Sequence, residues 1–325
     1  MSQAPPDSAD APPWLSIVMP THQGERWLGA TLDSLAAQSV RGFECLVIDS
    51  SPDDATLGLA RSYDDRLTMR FFKRPDLNHW RSKTNFGFQE ARAAHVCMLH
   101  QDDFWLPGRG EAVHRWIAAA PDIAVHLHPA QFVDASGRRL GLWTCPLPAG
   151  GAPISRDLLL RRLLVQNFIS VPTPTIRRDA FLAVGGIDEP LWYTGDWDLY
   201  LKLAALGAFA YHREVLCSFR IHGDSLTMTG SRDPRDFEAQ MQSVLAAHIG
   251  QVAPAERAGV LKQAQASIRI NSTLAASGGN RIGPGLSALG AILGLGPRRA
   301  FEYLRDSRLA ERVFPRLRAG LARDR

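Results

Sequence analysis

Val96-Cys97-Met98-Leu99-His100-Gln101-Asp102-Asp103-Phe104-Trp105-Leu106-Pro107 sets two adjacent carboxylates where an apolar run stops and a proline-initiated helix is expected to begin. Carboxylates at the carboxyl end of a buried strand are costly to desolvate and do nothing for a core. They make sense where a divalent cation and the oxygens of a ligand meet them. A capping aspartate ahead of a Pro107 helix accounts for one acid and not for both.

Upstream of that stretch, short apolar runs alternate with helical periodicity. Strands are expected at 15–19, 43–48, 67–72 and 96–99, with helices at 25–38, 53–63 and 83–94 between them. This order argues for an α/β fold with a doubly wound, mostly parallel sheet, which binds ligands beyond the carboxyl ends of its strands. Three of the four strands end in polar residues: Pro20-Thr21, Asp49-Ser50-Ser51 and Asp102-Asp103. Packing does not explain three such endings on one edge. Downstream, 124–128 reads as a strand and 134–137 as a turn between extended pieces. Helices are expected at 155–166, 178–184 and 196–206, and extended runs at 209–211 and 215–221. Beyond residue 230 only helical signals remain, at 237–249, 254–274 and from 298 onward. The expected organisation is a disordered lead over 1–13, an α/β domain over 14–230 and a helical C-terminal extension over 231–325.

Composition sets outer limits. With 325 residues, 45% hydrophobic and 22% charged, the chain is that of an ordinary globular protein, and a net charge of +4 is too mild to imply a nucleic-acid partner. Cys45, Cys97, Cys145 and Cys217 are scattered without zinc or redox spacing and read as buried reduced thiols. The N-terminus has neither the basic nor the apolar region of a signal peptide, and no apolar run reaches the roughly 18–20 residues that span a bilayer, so a cytoplasmic chain is expected. Neither a G-x-x-x-x-G-K-[ST] loop nor a G-x-G-x-x-G turn follows the first strand; an acidic pair with a metal is the remaining way to hold a diphosphate.

Ser16-Ile17-Val18-Met19-Pro20-Thr21, Val47-Ile48-Asp49-Ser50-Ser51, Leu99 to Pro107 and Gly195-Asp196-Trp197-Asp198-Leu199 together resemble the family 2 glycosyltransferases with the GT-A fold. The resemblance covers about residues 14–230. It implies a metal-dependent, inverting, hexosyltransferase-type enzyme that moves a sugar from a nucleoside-diphosphate sugar to a hydroxyl of a saccharide or lipid-linked acceptor, in cell-envelope polysaccharide or glycolipid assembly. It further implies that Asp103 binds Mg2+ or Mn2+ on the diphosphate, that Asp102 meets the ribose or the metal's waters, and that Asp49 accepts a hydrogen bond from the base. Pro20, Thr21, Glu25, Ser51 and Asn85 join the donor side. Asp196 stands as the catalytic base, and His222 as a contact to the metal or diphosphate. The family more commonly has an acid where His100 stands.

Each residue also has a plainer account. Asp49 suits a helix N-cap or turn, and Glu25 a first-turn acid. Asn78, Arg81, Lys83 and Asn85 form a polar stretch that either touches ribose or phosphate or is a solvated helix start, and His222 suits a surface or core histidine. Asp196 and Asp198 lie about 200° apart around a helix, so both cannot face one site. The helix N-terminus is expected to keep Asp196 ionised, with Asp198 structural or solvated. Trp192 and Tyr193 are candidate walls for a donor or acceptor sugar, or packing beneath Gly185-Gly186. Residues 298–325 hold nine arginines against Glu302, Asp306, Glu311 and Asp324. They read either as a peripheral contact with the inner face of the cytoplasmic membrane or as a solvated helix. Two rival functions stay open: a catalytically silent nucleotide-sugar-binding module, and a nucleotidyltransferase on a similar sheet.

Overall fold

The computed structural model describes residues 12–223, 233–276 and 282–321. Strands β1 (Leu15–Thr21) and β2 (Phe43–Asp49) are buried along their whole length. That two-sided burial is why they read as continuous apolar runs. β3 (Thr68–Lys73) and β4 (His95–Met98) run parallel beside them, and α1 (Glu25–Ala36), α2 (Ala55–Arg61) and α3 (Trp80–Glu90) make the crossovers. The register sets Thr21 opposite Asp49 and Asp49 opposite Lys73, so the polar strand endings share one edge.

The sheet is larger and more mixed than the alternation predicts. β6 (Val125–Leu127) and β11 (Phe209–Tyr211) extend it in parallel, while β9 (Pro153–Ile154) and β10 (Thr175–Arg177) run antiparallel. The eight-stranded order is β3-β2-β1-β4-β10-β6-β11-β9. A second sheet, β5-β12-β7-β8, is built from β5 (Phe104–Trp105), β7 (Ala130–Val133), β8 (Arg139–Trp143) and β12 (Cys217–Arg220). β12 pairs antiparallel with β5, Ser218 opposite Phe104, which draws Arg220 and His222 towards the acidic pair.

Two expected elements differ. No helix starts at Pro107: residues 104–105 form a strand because they pair with Ser218 and Cys217, and α4 (Arg109–Ala119) begins after Gly108, whose φ is +84°. The helix expected at 83–94 begins at Trp80 and stops at Glu90. There the chain turns so that Arg92 N donates to the Glu44 carboxylate (2.8 Å) and Ala93 N to Ser16 Oγ (3.0 Å). α3 also lies flat on the sheet: a Cβ at Gly87 would stand 2.4 Å from Val18 Cγ1 and 3.1 Å from Ile48 Cδ1. Gly87→Ala is expected to cost about 1–3 kcal/mol by overpacking, read as a lower urea midpoint at unchanged slope.

α5 (Arg156–Val165) starts at Ser155, whose Oγ accepts from Leu158 N, and α6 (Arg178–Ala183) and α7 (Gly195–Leu206) follow. The C-terminal helices are α8 (Pro234–His248), α9 (Pro254–Ala276), α10 (Ile282–Leu293), α11 (Pro297–Ser307) and α12 (Leu309–Leu321). The boundary expected at residue 230 and most of the N-terminal lead lie outside the described residues. Phe237, Val244, Ile268 and Tyr303 belong to the same buried cluster as Leu163, Leu199 and Phe209, so these helices share one core with the sheet. α12 reaches the second sheet, where Glu311 accepts from Thr144 N (3.0 Å) and Thr144 Oγ1 (2.7 Å).

Candidate active site

The chain leaves β4 through a turn closed by Asp103 N donating to His100 O (3.2 Å). Thr31 Oγ1 on α1 fastens it, at 2.8 Å from Gln101 O and 2.7 Å from Asp103 O. Gln101 is spent on the backbone after β1, accepting from His22 N (2.8 Å) and donating to His22 O (3.1 Å). The turn therefore presents His100, Asp102 and Asp103, each offering one ligand atom within 4.8 Å of the others. Asp103 is only 2% exposed: Oδ1 accepts from Arg220 N (2.9 Å), while Oδ2 has no hydrogen-bond partner. Burial, with the neighbouring Asp102 charge, holds its carboxyl well above the usual range. Burial also acts to raise Asp102, but the hydrogen bond from His222 and the nearby His100 and His222 charges bring it below its ordinary value. His222 Nε2 meets Asp102 Oδ2 at 2.9 Å, so the structure joins this histidine to Asp102 rather than to Asp103. Burial lowers the His100 pKa, and its Nε2 is enclosed without a partner.

These residues fit a divalent cation. His100 Nε2 and Asp103 Oδ2 are enclosed without partners within this cluster, and an ion there would offset the unfavourable charge on Asp103. Among the described residues this is the only cluster of three or more such groups.

The ends of β1 and β2 form a second polar centre. Asp49 is fully buried; its Oδ1 accepts from Thr21 Oγ1 (3.0 Å) and Ser51 Oγ (2.6 Å), its Oδ2 from Ser51 N (3.2 Å) and Lys73 Nζ (3.2 Å). It caps no helix, because Asp54 occupies the N-cap of α2. Pro20 is buried within β1 beside Ile48. Glu25 is exposed on the first turn of α1 and accepts from Thr56 Oγ1 at 2.5 Å.

The polar start of α3, open to reading either as a ribose or phosphate contact or as a solvated helix start, is turned inward. Arg81, Ser82, Lys83 and Thr84 are all buried. Lys83 Nζ donates to Thr21 O at 2.6 Å, and burial brings its pKa down to about 8. Arg81 donates from Nε to Glu189 O (2.7 Å) and from Nη1 to Trp192 O (2.8 Å). Asn85 clasps Ile187 through both its N–H and C=O, each at 2.9 Å, which makes it a latch on the 185–189 loop. The Trp80 ring centroid lies 5.4 Å from that of His100. One helical turn thus touches the acidic turn on one side and the segment leading into α7 on the other.

Asp196 opens α7, partly buried, with Oδ1 accepting from Trp197 N (2.8 Å) and Oδ2 from Asn167 Nδ2 (3.0 Å). Its pKa is pushed up to about 6 by burial, which outweighs the Trp197 and Asn167 hydrogen bonds. The helix terminus alone does not set its charge. No local sequence signal marks Asn167, 29 residues earlier. Asp198 faces away and is structural, bonded to His248 (2.7 Å) and Lys202 (2.9 Å). Asp198→Ala is expected to cost about 1.5–3 kcal/mol, seen as a lower Tm with kcat retained in the folded fraction. Trp192 and Tyr193 face α8: Trp192 Nε1 donates to Asp236, and the Tyr193 ring stands edge-on to Phe237 at 4.6 Å. A cavity of about 500 Å3 lined by Trp116, His126 and His212 contains none of the sequence-predicted site residues.

Comparison with known proteins agrees with this architecture. The profile of Glycosyl transferase family 2 matches residues 16–184, just over half of the chain. An uncharacterized glycosyltransferase of Rickettsia typhi is 25% identical over 228 residues, 70% of each chain. Another, from Haemophilus influenzae, is 25% identical over 201 residues, 61% of this chain and 65% of the relative. Among solved structures, TarS of S. aureus is similar with a TM-score of 0.62 at 16% identity, covering 90% of this chain and 51% of TarS, so the chain spans about half of that protein. TarS 1–349 in complex with UDP-GlcNAc gives 0.61 at 17% identity, covering 90% and 85%. Mannosyltransferase PcManGT from Pyrobaculum calidifontis, in complex with GDP-Man and Mn2+, gives 0.53 at 15%, covering 95% and 88%. With its profile matched over more than half its length, the chain belongs to glycosyl transferase family 2 and is a glycosyltransferase of the GT-A fold.

Proposed function

We propose that the chain moves a sugar from a nucleoside-diphosphate-sugar donor to an acceptor hydroxyl, inverting the anomeric carbon. The observation that carries this reading is the turn of His100, Asp102 and Asp103, where enclosed lone pairs lack protein donors, set against the α3 turn that also braces the segment before Asp196. Mg2+ or Mn2+ held by Asp102 and Asp103 would neutralise charge on the departing diphosphate. Asp196, with a pKa near 6, takes the proton of the acceptor hydroxyl. The acceptor oxygen bonds to the anomeric carbon as the sugar–phosphate bond breaks, so one displacement gives inversion.

Asp49 is proposed to accept a base N–H at Oδ2, where the Lys73 ammonium would give way, with Pro20, Thr21 and Glu25 on the nucleotide side. Trp192 and Tyr193, which contact α8 and precede Asp196 in the chain, are proposed as the aromatic surface for the acceptor sugar.

The test is a thermal-shift screen of nucleoside-diphosphate sugars with and without Mn2+, followed by NMR of the product's anomeric configuration. Ion-dependent stabilisation and an inverted product are expected. A retained configuration would refute the single displacement, and stabilisation without transfer or donor hydrolysis would favour a silent binding module.

The acceptor proposed is a saccharide or lipid-linked glycan of the cell envelope, met at the inner face of the cytoplasmic membrane. Five of the seven exposed large apolar side chains among the described residues fall in α10–α12: Leu289, Leu293, Phe301, Leu304 and Phe314. Arg298 and Arg305 flank Phe301 on α11 at helical spacing, each also paired with a neighbouring acid. No helix among the described residues is long and apolar enough to cross a membrane. Flotation with anionic vesicles is expected to carry the full chain and to lose it in the Phe301→Ser/Leu304→Ser double variant. Equal recovery of both in the soluble fraction would rule the contact out.

A further inference from the structure

We propose that His100 is itself a ligand of the divalent ion, through Nε2, and that it tunes the site away from Mg2+ towards Mn2+ and later first-row ions. The inference rests on the metal-dependent reading above and goes beyond it, because it assigns the ion's identity to one residue.

Four observations support it. His100 opens the same backbone-closed turn that carries the two acids, so its position is fixed by the hydrogen bond from Asp103 N to its own carbonyl. Its neighbour Gln101 is committed to both backbone groups of His22, which leaves positions 100, 102 and 103 as the donors this turn presents. Nε2 of His100 and Oδ2 of Asp103 are both enclosed and have no hydrogen-bond partner. A buried polar atom left unpaired costs about 1–3 kcal/mol, and a cation held in this turn would give both atoms a partner. Finally, Trp80 packs against the imidazole with ring centroids 5.4 Å apart, which restrains the ring's orientation.

The donor set decides the ion. An all-oxygen turn suits Mg2+, a hard ion that dehydrates reluctantly and takes carboxylate and phosphate oxygens. One imidazole nitrogen beside two carboxylates is a poorer match to Mg2+ and a better one to transition ions, whose affinities rise along the first row from Mn2+. The histidine at this position is then an adjustment of ion choice, and a carboxylate there would restore the harder site.

The experiment uses the full chain with Mn2+ and UDP as probe. Nitrogen coupling in pulsed EPR of the bound Mn2+ is read for the parent chain, His100→Asp, His100→Ala and His222→Gln. Calorimetric affinities for Mn2+ and Mg2+ are measured alongside. The expected result is imidazole coupling in the parent chain and in His222→Gln, and its loss in both His100 variants. His100→Asp is expected to keep Mn2+ bound while narrowing the Mn2+/Mg2+ preference about tenfold or more. Mn2+ bound without nitrogen coupling, or coupling that survives in His100→Asp and disappears in His222→Gln, overturns the assignment and leaves the acidic site standing. No Mn2+ bound by the parent chain at all would instead defeat the metal-dependent reading, and this inference with it.

Discussion

Asp196→Asn is expected to lower kcat by about 10²–10⁴-fold while donor-induced stabilisation persists, because the substitution removes the base and keeps the side chain's shape. In the parent chain, kcat/KM is expected to fall with decreasing pH through about 6, the value to which burial brings this carboxyl. The variant should lose that limb. Stability follows with its own sign. A carboxyl whose pKa is raised in the folded chain binds its proton more tightly there than in the unfolded chain, where the value is 3.8. Its contribution is fully present below about pH 4 and is lost as pH rises through about 6. The ionised group therefore destabilises the fold at pH 7, and Asp196→Asn should raise Tm at pH 7 with little gain at pH 4. A variant with lower Tm at pH 7 and unchanged kcat would make Asp196 a structural residue.

Asp103→Asn has the second large effect. Several kcal/mol of leaving-group stabilisation corresponds to about 10³-fold or more in rate at 1.4 kcal/mol per decade. The Arg220 amide bond to Oδ1 can be kept by the amide, so the turn should hold. Without added metal, removal of a buried carboxyl held above its usual pKa should leave Tm unchanged or higher at pH 7. Stabilisation by Mn2+ with donor should vanish. Loss of the fold in metal-free buffer would show that Asp103 is needed for architecture rather than for the ion.

What the sequence made legible follows from burial. β1, β2 and β4 could be read because strands covered on both faces must be apolar, and their polar ends then stand out. β5, β9 and β10 have two or three residues each, too few for any period, and exist because neighbouring strands pair with them. α10 forms despite the weak helix propensity of its glycines because it packs against α9 and α11. In the site, the acidic turn was visible, whereas the inward turn of Arg81 and Lys83 was not. Polar residues at a helix start look solvated until the carbonyls they serve, those of Thr21, Glu189 and Trp192, are known. The Asn167 and α8 contacts join residues tens of positions apart and leave no periodic trace. The charge of Asp196 needed the competition between a helix terminus and an enclosing wall, which only coordinates weigh.

The grip of α8 on the α7 region also has a mechanical meaning. His248 holds Asp198, Asp236 and Gln240 hold Trp192 and Tyr193, and all lie within a few residues of Asp196. A displacement of α8 is therefore carried through these side-chain contacts to the carboxylate's own segment.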